Sequence, residues 1–404
     1  MNLKNILVGQ SGGPTAAINA TLSGVISAGI NNPDIDTVYG MVNGIKGVIG
    51  NNLINLNERF SDIKNLELLK QTPSAFLGSC RYKLEKDGED IDTIIDVLLK
   101  NNIGFFFYIG GNDSMDTVFK LRDACRENGI KVIGVPKTID NDLAVTDHCP
   151  GFGSAAKYIA ATVSEIIHDA QCYSIESVTL VEIMGRNAGW LTASSALARI
   201  NGSTESPDLI YVPEIPFDTE KFLDDVKQKV IEKKNIIIAL SEGIKDKDGK
   251  YIADQSELFK EDLFGHSQLG GAGKVLEELI KKKYGIKVRS IELNTPQRCA
   301  AHLASLTDIN ESFSIGEAAV KAALGGETGK MTAYRRISDN PYKICIDTVD
   351  VENIANFEKK LPDEFISASG NNVTEKFIRY VYPLIQGEPD TIFKNGLPLH
   401  ITRK

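Results

Sequence analysis

Short apolar runs alternate with amphipathic stretches along this chain, and most runs close on glycine or another turn residue. KNILVGQ (4–10) reads as a buried strand, and TAAINATLSGVISAGI (15–30) as the helix after it. DTVYGMV (36–42) predicts a second strand. NIGFFFYIGG (102–111) predicts a third, followed by a helix over 114–128 that stops near Gly129. IKVIGVP (130–136) predicts a fourth. The series resumes with SVTLVEIMG (177–185), DLIYVPE (208–214), NIIIALSEG (235–243) and KVRSIEL (287–293), with a helix over 218–234 between the middle two. Continuous rather than alternating apolar runs indicate strands covered on both faces. The expected fold class is therefore α/β, with mostly parallel sheets covered by helices. Two such series predict two Rossmann-like domains with a cleft between them.

Composition narrows the function. The chain has 404 residues, 42% hydrophobic and 25% charged, the profile of a globular protein with room for two cores. A net charge of −9 disfavours a nucleic-acid partner, so an anionic substrate must be held by a local basic pocket. No run reaches the roughly 18 apolar residues of a membrane span. The N-terminal apolar stretch is too short for a signal peptide. Six scattered cysteines without a CxxC pair read as reduced thiols, which points to the cytoplasm. The histidines at 148, 168, 266, 302 and 400 show no metal-ligand spacing.

In open parallel sheets, ligands bind beyond the carboxyl ends of the strands. GQSGGPT (9–15) precedes a helix, so its glycines can bring backbone N–H groups onto an anion. GGND (110–113) repeats that arrangement. GGAGKV (270–275) lacks the spacing and the Ser/Thr of a phosphate-binding P-loop and reads as a structural loop. PKTIDND (136–142) is the most informative stretch. Lys137 offers a cation, Thr138 a hydroxyl, and Asp140 and Asp142 two carboxylates. In an extended turn Thr138, Asp140 and Asp142 would line one surface. A carboxylate near a hydroxyl can take its proton while a cation clamps a transferring phosphoryl group. Arg186, Arg289, Arg298 and Arg81 stand at expected loop edges, where a planar guanidinium suits phosphate oxygens.

SGGPTAAINA, FLGSCR, GGNDS, PKTIDND, GFGSAA, VEIMGRNAGW, VPE, SEG and PQR occur in that order from residue 9 to about 300. In this the chain resembles the phosphofructokinase family, more closely its pyrophosphate-dependent branch. The resemblance implies reversible transfer of a phosphoryl group from pyrophosphate to the 1-hydroxyl of fructose 6-phosphate, within glycolysis or gluconeogenesis. It implies a phosphofructokinase fold with the active site in the cleft. Residues 1–150 with about 297–350 would form a larger donor domain, and 151–296 with part of 351–404 a smaller sugar-phosphate domain. It also implies Mg²⁺ as cofactor and a homodimer or homotetramer with sites completed across interfaces.

Carried over by motif, Asp140 would be the base, with Thr138, Arg186 and Lys137 beside it in catalysis. Gly12, Gly13, Arg81, Gly111, Asp113 and Ser114 would meet the donor. Thr138, Asp140, Asp142, Met184, Gly185, Arg186, Glu242, Arg289 and Arg298 would meet the acceptor, and Asp113 and Asp142 would lie near the metal. ATP-dependent relatives typically carry glycine at the Asp113 position, and the pyrophosphate branch a carboxylate there with lysine at position 137. A carboxylate pressed against an α-phosphate would cost on the order of several kcal/mol.

The chain departs from the family pattern at Asn112, where a metal-linked aspartate is common. It departs again at Ser177, where an arginine is commonly lent across an interface, and at Thr295. ATP as donor and a seven-carbon sugar phosphate, sedoheptulose 7-phosphate, as acceptor are the alternatives. A non-catalytic regulatory subunit is disfavoured because the base Asp140 and the clamp Arg186 are present. A dinucleotide oxidoreductase would need a GxGxxG fingerprint that GQSGGP lacks.

Overall fold

A computed structural model describes residues 3–86, 88–202, 205–255 and 271–403. His266 and Gly270, singled out above, lie outside the described residues. The chain forms two compact units. One comprises Met1–Ala155, Arg298–Lys359 and Pro383–Lys404, and the other Ala156–Gln297 and Lys360–Tyr382.

The first unit is built on a seven-stranded sheet. Its strands are β1 (Lys4–Gln10), β2 (Ile35–Met41), β3 (Leu53–Asn55), β4 (Ile103–Gly110), β5 (Lys131–Pro136), β10 (Lys330–Asp339) and β11 (Tyr342–Asp350). They lie in the order β11-β10-β5-β4-β1-β2-β3. The interior pairs are parallel, and only the edge pairs β2–β3 and β10–β11 are antiparallel. The continuous apolar run of β4 is explained by burial on both faces. Phe107 and Ile109 join Ile18 and Leu22 on one side, while Phe106 and Tyr108 join Met115, Val118 and Leu121 on the other. The hairpin β10–β11 had no counterpart among the predicted strands. Its second strand is only partly buried, so its apolar pattern is diluted.

The second unit holds a four-stranded, all-parallel sheet in the order β7-β8-β6-β9. Its strands are β6 (Ser177–Ile183), β7 (Leu209–Tyr211), β8 (Asn235–Ser241) and β9 (Lys287–Glu292). β7 is shorter than predicted, because only three residues pair with β8. The helix Thr219–Glu232 begins where predicted, since the Asp218 carboxylate accepts from Glu220 N and Lys221 N. No helix among the described residues is long and apolar enough to cross a membrane.

Both sheets have a point where the strand order reverses, between β1 and β4 in one and between β6 and β8 in the other. Such points leave a crevice at the carboxyl ends, because consecutive helices go to opposite faces. SGG and GGND follow β1 and β4; MGR and SEG follow β6 and β8.

Candidate active site

In the first unit the loops are stitched together at the strand ends. Gln10 closes β1, where its buried amide donates to Asn19 Oδ1 at 2.8 Å and accepts from Leu77 N at 2.9 Å. Ser79 Oγ, in the FLGSCR stretch, donates to the Gly12 carbonyl at 2.7 Å. Arg81 is exposed two residues further on. Thr15 Oγ1 accepts from Ala17 N and Ile18 N, which sets the following helix to start at Ile18 rather than at Thr15. Gly12 has φ +77°, a left-handed conformation that glycine adopts cheaply. A Cβ there would lie 3.0 Å from Lys137 Nζ, and a Cβ on Gly13 would lie 3.4 Å from Arg298 Nη1. Two cations therefore border the backbone of one glycine loop. Arg298 Nε is buried without a hydrogen-bond partner among the described residues, which suits a guanidinium that awaits an anion.

Lys137 is buried, and its N–H donates to the Gly110 carbonyl at 3.0 Å. Burial pulls its ammonium pKa down to about 8, against the pull of the Asp140 and Asp142 carboxylates, and the Arg298 charge lowers it further. The expected extended turn is not what brings these groups together. The chain bends after Thr138, and Asn141 takes a left-handed conformation (φ +55°). The bend is held by Asp140 N donating to Thr138 Oγ1 at 3.1 Å and Cys149 N donating to Asn141 Oδ1 at 2.9 Å. Burial and the Glu358 carboxylate hold the Asp142 pKa above the usual range, with Lys137 and Lys359 opposing.

GGND opens the helix Asn112–Glu127, with Gly110 packed against Ser114 and Gly111 accepting from Ser114 N. Asp113 is exposed in its first turn, so its own carboxylate answers the positive end of the helix. Asn112, in the place of an expected metal-linked aspartate, is committed elsewhere. Its Nδ2 donates to the Phe357 carbonyl and its Oδ1 accepts from Asn356 N, both at 2.7 Å.

Among the described residues no group of three or more His, Cys, Asp or Glu side chains could close around a metal ion. The oxygen donors Asp113 and Asp142 still suit a hard divalent cation. Such a cation commonly takes one or two carboxylates and completes its shell with phosphate oxygens and water. The raised pKa of Asp142, crowded by Glu358, is one that a bound cation would relieve.

In the second unit four motifs form one network. Met184 N donates to Gln297 Oε1 at 3.1 Å, and Ser241 Oγ donates to the Gly185 carbonyl at 2.7 Å. A Cβ on Gly243 would fall 1.8 Å from the Arg186 carbonyl oxygen, so SEG can lie against MGR only with glycine there. Glu214 of VPE accepts from Gly189 N at 2.8 Å and from Leu361 N at 2.9 Å. Burial raises the Glu242 pKa, with the Gly185 amide and the Arg186 guanidinium opposing. Arg186 itself is exposed at the loop.

Arg289 is not at a loop edge. It lies inside β9, paired with Thr179 of β6 and 3.7 Å from Asp169 Oδ2. Thr179 precedes Met184 by five residues, about 16 Å of strand, so Arg289 stands apart from the Met184–Glu242 cluster. GGAGKV is also corrected, since its described part begins the helix Ala272–Tyr284 rather than forming a loop. The anion at that helix start is internal: the Glu182 carboxylate accepts from Gly271 N at 2.9 Å and Gly273 N at 2.7 Å.

Sequence reasoning quoted the motifs that hold Glu182 and Glu214 without giving either a role, and it missed the segment 356–359. A buried acid within an apolar strand was the available signal for Glu182. Nothing local marked the segment, because its partners lie more than 200 residues away.

A family profile described as Phosphofructokinase matches residues 5–292. The chain is 40% identical to a protein of Methylococcus capsulatus named pyrophosphate–fructose 6-phosphate 1-phosphotransferase, over 100% of this chain and 96% of that one. It is 41% identical to a protein of the same name from Halomonas elongata, over 98% and 94%. A crystal structure titled pyrophosphate-dependent phosphofructokinase, from Marinobacter aquaeolei, superposes with a TM-score of 0.87 at 37% identity. That superposition covers 100% of this chain and 96% of the other.

Proposed function

The chain belongs to the phosphofructokinase family, and from that premise we propose that it is a pyrophosphate-dependent 6-phosphofructokinase. It transfers a phosphoryl group from inorganic pyrophosphate to the 1-hydroxyl of fructose 6-phosphate, giving fructose 1,6-bisphosphate and phosphate. The observation that carries the donor reading is Lys137, a buried ammonium 3.0 Å from the Cβ position of Gly12, with Arg298 3.4 Å from the Cβ position of the next glycine.

In the reaction Asp140 accepts the proton of the 1-hydroxyl as the hydroxyl oxygen attacks the terminal phosphorus of pyrophosphate. The anhydride P–O bond breaks and inorganic phosphate leaves with the electron pair. Gly12 and Gly13 allow the donor close to the backbone, with Lys137 and Arg298 opposing its charge. Thr138 and Arg186 steady the phosphoryl group in transfer, and Met184, Gly185 and Glu242 belong to the acceptor. Asp113 disfavours a nucleotide, because its carboxylate would meet the α-phosphate. Pyrophosphate avoids that contact.

Phosphotransferases of this family generally use a divalent metal, and Mg²⁺ is the one proposed here, with Asp113 and Asp142 as its protein ligands. When bound it would neutralise donor charge that the side chains leave uncompensated. Arg289, with Ser177 beside it on the same sheet, fits a homo-oligomer in which that arginine serves a neighbouring copy. The proposed setting is the cytoplasm.

The test is a coupled assay of the purified protein with pyrophosphate and with ATP, with Mg²⁺ titrated and the reverse reaction followed as pyrophosphate release. A preference for ATP would overturn the donor reading.

A further inference from the structure

The segment Asn356–Lys359 crosses the donor side of the first unit and bonds to both acidic loops there. The Asn112 carboxamide bonds at both ends to the backbone of residues 356 and 357. One step on, Leu143 and Glu358 form an antiparallel bridge, and Lys359 N donates to the Asp142 carbonyl at 2.7 Å. The Lys359 side chain then turns inward. Its Nζ donates to the Thr146 carbonyl at 3.0 Å and the Asp147 carbonyl at 2.9 Å, and reaches Asn141 Oδ1 at 3.5 Å. Burial lowers its pKa, with Asp147 and Asp142 among the charges opposing that shift.

We propose that this segment is a strap that sets the geometry of the donor site, with Asn112 and Lys359 as its positioning residues. The inference rests on the pyrophosphate reading above. Asn112 is suited to this task in a way aspartate is not. A carboxamide can donate to the Phe357 carbonyl and accept from Asn356 N together, whereas a carboxylate would set oxygen against oxygen at Phe357. The loss of the expected metal-linked acid at 112 is thus the gain of a two-ended pin. Lys359 works at the other end. Three acceptors from residues 141–147 converge on its ammonium, and these residues include the left-handed turn that directs Asp140 and Asp142 toward Lys137. The strap therefore fixes the spacing between Asp113, which follows the pinned Asn112, and Asp142.

The experiment compares Asn112→Asp and Lys359→Met with the wild type by steady-state kinetics and by amide hydrogen exchange over residues 138–147 and 354–360. In Asn112→Asp, losing one end of the pin should raise KM for pyrophosphate about tenfold, while KM for fructose 6-phosphate stays within about twofold. Exchange should accelerate in 354–360 and not in the core strand β1. Lys359→Met should raise the same KM and also accelerate exchange in 138–147. A merely structural role would lower thermal stability and kcat without splitting the two KM values. Unchanged exchange in 354–360, or a tighter Mg²⁺ requirement in Asn112→Asp, would overturn the proposal, the latter by making residue 112 a metal site. If the wild type uses ATP instead, the donor reading fails on its own, and exchange still reports on the strap.

Discussion

The Lys137 ammonium stands 3.0 Å from where a Cβ of Gly12 would lie, and Gly12 holds φ +77°. The glycine loop and the buried cation are thus two sides of one narrow space. Gly12→Ala should strain the backbone, at a cost of about 1–2 kcal/mol, and should also push on the lysine. The expected result is a lower Tm by thermal melting and at least a tenfold fall in kcat/KM for pyrophosphate.

Lys137 also predicts a pH dependence. Its pKa is about 8 in the folded protein and near 10.5 when unfolded, so the unfolded chain binds the proton more tightly. The resulting destabilisation, on the order of 3 kcal/mol, is full below pH 8 and fades as pH rises to about 10.5. Lys137→Met should therefore be more stable than the wild type at pH 7, with the difference shrinking between pH 8 and about 10.5. Pyrophosphate affinity of the wild type, measured by titration calorimetry, should fall as pH rises through 8.

Asp140→Asn removes the proposed proton acceptor and keeps the shape. Turnover should fall by about 10²–10⁴-fold in both directions, while fructose 6-phosphate binding by calorimetry remains measurable. Surviving turnover would move the base elsewhere.

Asp113→Gly should admit ATP, seen as new activity in the coupled assay with ATP. Lys137 is best left in place, because it is buried and its removal would open a cavity. No gain of ATP use would show that other groups exclude the nucleotide.

Glu182 offers a second titration. Burial raises its pKa to about 7, against the Gly273 and Gly271 amides. Its stabilising effect is full below about 4.5, its unfolded value, and is lost as pH rises through 7. Glu182→Gln should flatten the decline of Tm between pH 5 and 8, and an unchanged slope would contradict this assignment.

The central parallel strands were legible because apolar runs buried on both faces leave an unbroken signal, as in β4 and β8. The glycine and acidic motifs were legible because each is local, with the strand, the turn and its chemistry adjacent in the chain. Sequence alone thus determined the fold class and marked the residues proposed to carry the chemistry. Tertiary structure decided which groups meet. It bent PKTIDND at Asn141, set Arg298 beside Gly13, placed Arg289 within a strand, and gave the Ala272–Tyr284 helix an internal carboxylate. It also turned Asn112 from a missing metal ligand into a two-ended pin for residues 356 and 357. The Asn112–Phe357 contact alone joins residues 245 positions apart, and local periodicity carries no information about partners so distant in the chain.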